Sequence, residues 1–359
     1  MASIWQRIFP TRENRAVTPT IPPRSTSIAT PENALTLTAV WRSVQILATS
    51  VSNLGIKTKK FATGIELVID TPLLINKPSF SMNRQQFIYA TVSDLALHGN
   101  AFWIKSLNSA GQVVELTLVP AGQVTVGMTN PEDITSPKNY TYGNVVYSQD
   151  RVEHLQLFPR AGWMKGPSPI YTCSQDIIAA LDLRDYQSNW FSASGVPTGV
   201  LRREGEVNAI DANEMRSRWA EMQATRQVAV LGNGWDYKTI AESPADLMFT
   251  EISKQSVQNI ARLFGIPARK LVTGVDGTSD TYTNLTDEEH AFYRETLMAY
   301  TRPIADALSN CLPRGQRVEF LWEDLFQADK ASRINMWKTA IDAGIVTAEF
   351  AADKEGFTA

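Results

Sequence analysis

Residues 243–312 constrain this chain more than any other stretch, because they read as two long helices joined by a segment unable to pack. Ser243-Pro244 with Asp246 is a helix start: Ser can cap free N–H groups, Pro suits the first helical position and an acid suits the dipole. Gly265 and Pro267 in Phe264-Gly265-Ile266-Pro267 mark its end. The intervening rod of about 20 residues would span roughly 30 Å. Phe249, Ile252, Val257, Ile260, Ala261 and Phe264 recur on one face, while Glu251, Lys254, Gln255, Gln258 and Arg262 track three and four apart on another. One face is expected to pack and the other to meet water.

The run from Val272 to Asn284 is small, polar and glycine-containing, so it predicts a mobile loop. Thr286-Asp287-Glu288-Glu289 then opens a second helix with a capping box, and Tyr293, Leu297, Tyr300, Ile304 and Leu308 keep helical spacing. Pro303 lies inside that stripe and predicts a bend.

At 359 residues, with 43% hydrophobic and 20% charged residues, the chain can build two or three folded domains. It has no run near the ~18 apolar residues of a membrane span, and Met1–Pro10 does not read as a signal peptide; synthesis in the cytosol is the expectation, with no membrane partner. A formal net charge of −3 argues against tight nonspecific grip on a duplex, which needs clustered Lys and Arg. DNA as a passenger, touched weakly, stays compatible.

Cys173 and Cys311 are expected to be plain buried thiols on helices, and His98, His154 and His290 are scattered, so no metal or cofactor is predicted. No phosphate-binding loop or dinucleotide fingerprint occurs. Gly166-Pro167-Ser168 is not a nucleophile elbow, because Ile170 replaces the second glycine. His98, just before a cap glycine, reads as an ordinary helix-end histidine. Asp276 and Asp280 could form a carboxylate pair, and a hydrolase with a lid at 274–283 is the rival reading of the loop.

Residues 1–33, with five prolines, predict an extended arm: a floppy tail, or a strap onto a neighbouring subunit. Val40, Trp41, Val44, Leu47, Ala48, Val51 and Leu54 form one helical face. Strands follow near 56–61 and 66–69, then a helix opened at Ser81 or Asn83, faced by Ile88, Thr91, Val92 and Leu95 and ended by Gly99. Strands are expected at 101–107, 112–119, 123–128, 145–147 and 152–158, with a hairpin at Asn108-Ser109-Ala110-Gly111.

Ser168-Pro169-Ile170 starts a helix running through Ile177, Leu181 and Tyr186 to Trp190-Phe191. A compact insert follows: strand 198–201, a helix capped by Asp211 with Glu214, then strands 227–231 and 235–240 around an Asn233-Gly234 turn. A strand at 317–322 leads to a helix from about Asp329, with Ile334, Trp337 and Ile341 aligned and Gly344 closing it, and a short helix from Thr347. The fold class is α+β.

Several of these stretches, in order, resemble tailed-bacteriophage portal proteins. They are Leu35–Val44, Leu97-His98-Gly99-Asn100-Ala101-Phe102, Gly166-Pro167-Ser168-Pro169-Ile170, Ile260–Pro267, Tyr282-Thr283-Asn284-Leu285 and Phe292–Leu297. The likeness spans roughly residues 33–345 and departs near Glu349-Phe350 and Ala352. It implies an arm at 1–33, a wing at 34–167 and 287–327, stem helices at 168–195 and 243–271, a clip at 196–242, a tunnel loop at 272–286 and a short crown at 328–359.

The resemblance also implies a structural, non-enzymatic role: a dodecameric ring at one capsid vertex, the head-tail junction of a virion, assembled in the host cytoplasm. A gene-transfer particle would serve equally. Double-stranded DNA would pass the stem polar face, Glu251, Lys254, Gln255, Gln258 and Arg262, and the loop Gly274, Val275, Asp276, Gly277, Thr278, Ser279 and Asp280. Implied partners are the major capsid protein, the terminase large subunit and a head-tail adaptor protein, with initiation of capsid assembly a further implied role. Arg202, Arg203, Glu204 and Glu206 are the candidate clip contacts.

Overall fold

The computed structural model describes residues 28–62, 65–130, 132–133, 135–191, 199–203, 208, 210, 213–215, 217–219, 235–239, 249–271, 288–322 and 330–354. After α1 (Pro31–Ala34), capped by Thr30, comes α2 (Thr38–Ser52). Val40, Val44, Leu47, Ala48 and Val51 are buried on α2 as the spacing predicts, but Trp41 lies beside that stripe and is 58% exposed.

β1 (Gly55–Ala62) and β2 (Ile65–Ile69) form a hairpin, followed by α3 (Leu73–Asn76) and α4 (Arg84–His98). Asn83 begins α4 with a reciprocal capping box: its side chain accepts from Gln86 N–H, and Gln86 accepts from Asn83 N–H. Gly99 ends it at φ 68°. Phe87, Ile88, Thr91, Val92 and Leu95 are buried on its packing face.

β3 (Asn100–Leu107), β4 (Val113–Val119), β5 (Val124–Met128), β6 (Lys138–Tyr142), β7 (Val145–Ser148) and β8 (Val152–Gln156) follow. They make two antiparallel sheets, ordered β4-β3-β8 and β5-β6-β7. β6 is not anticipated by the sequence, because Pro137 and Asn139 give it the composition of a turn; the β-formers Tyr140, Thr141 and Tyr142 win once paired on both sides. Phe102, Val119, Ala121, Val124, Tyr140 and Val152 bury a small second core between these sheets.

The helix expected from Ser168 is divided. Ser168 caps α5 (Pro169–Thr172), and the chain resumes as α6 (Ser174–Phe191) after Cys173 leaves helical geometry at φ −102°, ψ 35°. Cys173 is therefore only partly buried, contrary to expectation, whereas Cys311 is buried. In the predicted insert, β9 (Gly199–Arg203) pairs antiparallel with β10 (Trp235–Thr239), and helical turns lie at 213–215 and 217–219. Asp211 and the strand expected at 227–231 lie outside the described residues.

α7 (Phe249–Phe264) precedes a π-helical stretch, Phe292–Leu297, which runs directly into α8 (Met298–Asn310). Pro303 sits within α8, and the departure from α-geometry lies one turn or more before it, in the π stretch. Leu297, Tyr300, Ile304 and Leu308 are buried. β11 (Gln316–Leu321) then pairs with β1, giving a third antiparallel sheet ordered β11-β1-β2. α9 (Lys330–Asp342) and α10 (Ala348–Lys354) end the described chain.

The main core joins α2, α4, β3, β4, β8, α5, α6, α7, the π stretch, α8 and β11. Trp103 is fully buried within it, 5.1 Å from Phe87, and its indole N–H donates to Thr91 Oγ1 at 3.1 Å. An indole can be buried there because that one polar atom is satisfied.

Candidate functional site

α7 supplies the candidate surface. Its last two turns hold it to the body through Ile260, Ala261 and Phe264, all buried, and through Ile266 just beyond. Its first turns do not follow the predicted apolar face: Ile252 is 46% exposed and Val257 half-buried, and on this stretch α7 meets α6. That contact is polar. Gln187 Nε2 on α6 donates to Ser253 Oγ on α7 at 2.9 Å, and Asn259 Nδ2 reaches Asp176 Oδ1 at 3.5 Å.

Glu251, Lys254, Gln255, Gln258 and Arg262 are all exposed. The five side chains predicted as one polar face therefore do share one open side of α7. Arg262 donates to Asn259 Oδ1 at 3.2 Å, which orients the guanidinium along the helix. Two cations and one anion leave this surface mildly positive.

The end of α7 is built with care. Gly265 takes φ 65°; its N–H donates to Arg262 O at 3.1 Å and Ile266 N–H to Ala261 O at 2.9 Å, the paired bonds of a Schellman cap. Thr296, on the π stretch, donates from Oγ1 to Gly265 O at 2.7 Å. A Cβ at Gly265 would stand 2.6 Å from that hydroxyl, so the close approach needs glycine here. The wider π turn places Thr296 under the cap, and nothing in the sequence period signals it.

Residues 272–287 lie outside the described residues, and with them Gly274, Val275, Asp276, Gly277, Thr278, Ser279 and Asp280. The two flanks of that segment meet. Arg269 pairs with Glu288 at 2.6 Å and Glu289 at 4.0 Å, and Lys270 pairs with Glu289 at 3.5 Å. Lys270 Nζ also stands 5.4 Å from the Phe292 ring centre. Glu288 and Glu289 are anticipated only as capping-box residues; their partners on the other flank are a product of the fold. Arg202 and Arg203 lie on β9, Arg203 in register with Trp235, while Glu204 and Glu206 lie outside the described residues.

His98 and His154 are held in structural surroundings. His98 is half-buried against Gly122, and burial first, then Lys165, lowers its pKa against the opposing pull of Glu32. His154 is held down to about 3, by burial and then by Lys138 and Lys165. As a neutral ring it donates from Nε2 to Asn100 Oδ1 at 3.0 Å, leaving Nδ1 to accept a long contact from Tyr140 OH at 3.5 Å. Among the described residues no group of three or more His, Cys, Asp or Glu could hold a metal ion, and no helix is long and apolar enough to cross a membrane.

Residues 38–356 match the sequence profile of the family described as Phage portal protein. The chain belongs to the phage portal protein family. Its role is accordingly that of a portal, a structural protein and not an enzyme, and this overturns the hydrolase reading of 274–283. The probable portal protein of Streptomyces phage phiC31 is 24% identical over 92% of this chain and 76% of its own length. The portal protein of Enterobacteria phage HK97 is 23% identical over 88% and 77%. Among solved structures, a chain from the neck of a native gene-transfer-agent particle, computed with C12 symmetry, superposes with a TM-score of 0.63 at 21% identity, covering 89% of this chain and 90% of that one. An HK97-family phage portal protein from Corynebacterium diphtheriae gives the same TM-score at 15% identity, over 84% and 98%. These likenesses establish the portal fold for this α+β chain.

Proposed function

We infer that copies of this portal-family chain close into a twelve-membered ring at one vertex of a phage or gene-transfer particle, and that double-stranded DNA enters and leaves through its centre. The observation carrying this reading is the division of α7: one side fixed to the body and to α6, the other presenting Glu251, Lys254, Gln255, Gln258 and Arg262 to solvent. A conduit should attract phosphate weakly, since each strong contact would have to be broken for every step of movement. A mixed, mildly positive lining has that property. The C12 symmetry of the gene-transfer-agent neck supports the subunit number.

In this reading 168–195 and 243–271 are the stem, 196–242 the clip, 272–286 the tunnel loop, 34–167 and 287–327 the wing, and 328–359 the crown. The paired flanks Arg269-Lys270 and Glu288-Glu289 stand at the two ends of the proposed tunnel loop and tie the end of α7 to the start of the next helix. The outer wing meets the major capsid protein and gives capsid assembly its starting ring. The clip, with Arg202, Arg203, Glu204 and Glu206, meets the terminase large subunit during filling and a head-tail adaptor afterwards. Deleting Gly274–Asp280 tests the loop assignment: rings should still form, while particles should fill poorly or lose DNA. Normal filling and retention would reject it.

A further inference from the structure

The sheet β11-β1-β2 is open on both sides: among the described residues no strand lies beyond β2 or beyond β11. Phe61 N–H donates to Gly315 O at 2.8 Å, so the backbone of Phe61 and, by alternation, of Lys59 and Lys57 faces β11, while that of Lys60 and Thr58 faces β2. The register sets Lys60 opposite Leu67 and Thr58 opposite Ile69. The peptide groups of Glu66 and Val68 therefore point away from the sheet. On β11 the same alternation turns Val318 and Phe320 outward, and Val318 N–H there donates to Ser309 Oγ at 2.8 Å.

The two edges are unlike. Ile65 and Leu67 lie on the side of the sheet that buries Thr58, Val318 and Phe320, yet they are 62% and 53% exposed. Val68, on the other side, is 69% exposed. A bare edge with apolar residues on both faces is a pairing surface. The β11 edge has cover to spare: α8 stands beside it across a groove of about 300 Å³, with Met298, Thr301 and Ala305 on the helix and Val318, Phe320 and Trp322 on the strand. Thr301 is 2% exposed, and its hydroxyl has no hydrogen-bond partner among the described residues. An apolar filler would leave that oxygen stranded, whereas a strand brings apolar side chains and peptide groups together.

We propose that β2 of one copy lies along β11 of the next, in the groove beside α8, so that the sheets of neighbouring subunits join. β2 and β11 are each antiparallel to β1 and so run the same way, which makes the joint a parallel pair. Leu67 then passes under α8. Glu66, on the opposite face, comes beside Arg317 of the next copy, continuing the alternation of Glu319, Lys59 and Glu66 across one sheet. Two β2 edges meeting about a two-fold axis would leave Leu67 uncovered in both copies and bring Glu66 toward its own double. Unlike edges joined in one direction close a ring instead. The seam rests on the ring reading and deepens it by naming the surfaces through which subunits meet.

The test uses the full-length protein carrying Val68→Cys and Arg317→Cys. Within one chain these positions flank Lys59, two strand spacings or ~9.5 Å apart. A disulfide tolerates a Cα separation of only about 7 Å, so the bond can form only between copies. Oxidised rings should give a covalent ladder up to the full ring on non-reducing gels, and wild type, with Cys173 and Cys311, should give none. Leu67→Asp, and separately Val68→Pro, which removes an outward N–H and spares the pairing with β1, should raise the subunit concentration for half-assembly about tenfold or more. Far-UV circular dichroism should stay unchanged. Rings of the double-cysteine protein that stay uncrosslinked, covalent dimers from Val68→Cys alone, or normal assembly by both Leu67→Asp and Val68→Pro would each overturn the seam while wild-type rings still stand. Absence of rings from the wild-type chain overturns the ring reading instead.

Discussion

Asn100 and Gly166, 66 positions apart, are held together in both directions: Asn100 Nδ2 donates to Gly166 O and Gly166 N–H donates to Asn100 Oδ1, each at 2.8 Å. The same side chain donates to His98 O at 2.8 Å and accepts from His154 Nε2 at 3.0 Å. Nearby, Ser168 Oγ donates to Leu97 O at 2.6 Å, and a Cβ on Gly99 would stand 2.2 Å from Pro167 O. The Leu97–Phe102 and Gly166–Ile170 motifs are therefore two halves of one joint, which fixes where α5 and α6 leave the sheet.

Asn100→Ala should cost about 2–4 kcal/mol, because it strands buried backbone groups of Gly166 without partners. Asn100→Asp should be no better, since it removes both donor hydrogens and turns a carboxylate toward two carbonyls. Chemical denaturation checks this; a loss below about 1 kcal/mol for Asn100→Ala would show that the joint matters little.

At the end of α7, Thr296→Val should cost about 1 kcal/mol by leaving Gly265 O unbonded, and Thr296→Ser should cost less. Gly265→Ala should be the most damaging of the three, because it combines a positive φ with the 2.6 Å approach to Thr296. Thermal unfolding gives the order, and equal melting points for Gly265→Ala and wild type would contradict it.

Two withdrawn titratable groups act in opposite directions. His154 is held down to about 3, so below its ordinary range the unfolded chain binds the extra proton and stability falls as pH drops from about 6.5 toward 3. Asp94 is pushed up to about 7 by burial, offset in part by the Ala121 N–H at 3.3 Å, so the folded chain holds the extra proton and stability is lost as pH rises from about 4 through 7. Asp94→Asn should thus gain melting temperature over wild type more at pH 8 than at pH 5. His154→Gln should show its relative gain at pH 4.5 rather than 7.5. Differences that do not change with pH would refute both assignments.

The ion pairs that flank residues 272–287 are exposed enough for solvent to weaken them. A double-mutant cycle on Arg269→Ala and Glu288→Ala should give a coupling of about 1 kcal/mol or less at low salt, fading at 1 M salt. A salt-independent coupling above about 2 kcal/mol would mean the pair is a structural clamp rather than a tether.

Much of this fold can be read in the sequence because its elements are locally determined. The Asn83 cap, Gly99, Gly265 and the stripe Leu297, Tyr300, Ile304, Leu308 announce themselves by residue type and spacing. The exposed face Glu251, Lys254, Gln255, Gln258, Arg262 is legible for the same reason. What escapes depends on distant partners. β6 becomes a strand only between β5 and β7; the break at Cys173 lies beside the joint of Ser168 with Leu97; Ile252 is exposed on a stretch where α7 meets α6 through Ser253 and Gln187. The π stretch and the Arg269–Glu288 pair arise where the segments on either side of residues 272–287 meet, a distance no periodicity encodes.

End-on averaged electron micrographs of the purified full-length chain bear most directly on the central claim. Closed twelve-fold rings are expected, with an open centre wide enough for a DNA duplex and bordered by the exposed side of α7. Single globular particles, or discs filled at the centre, would contradict it.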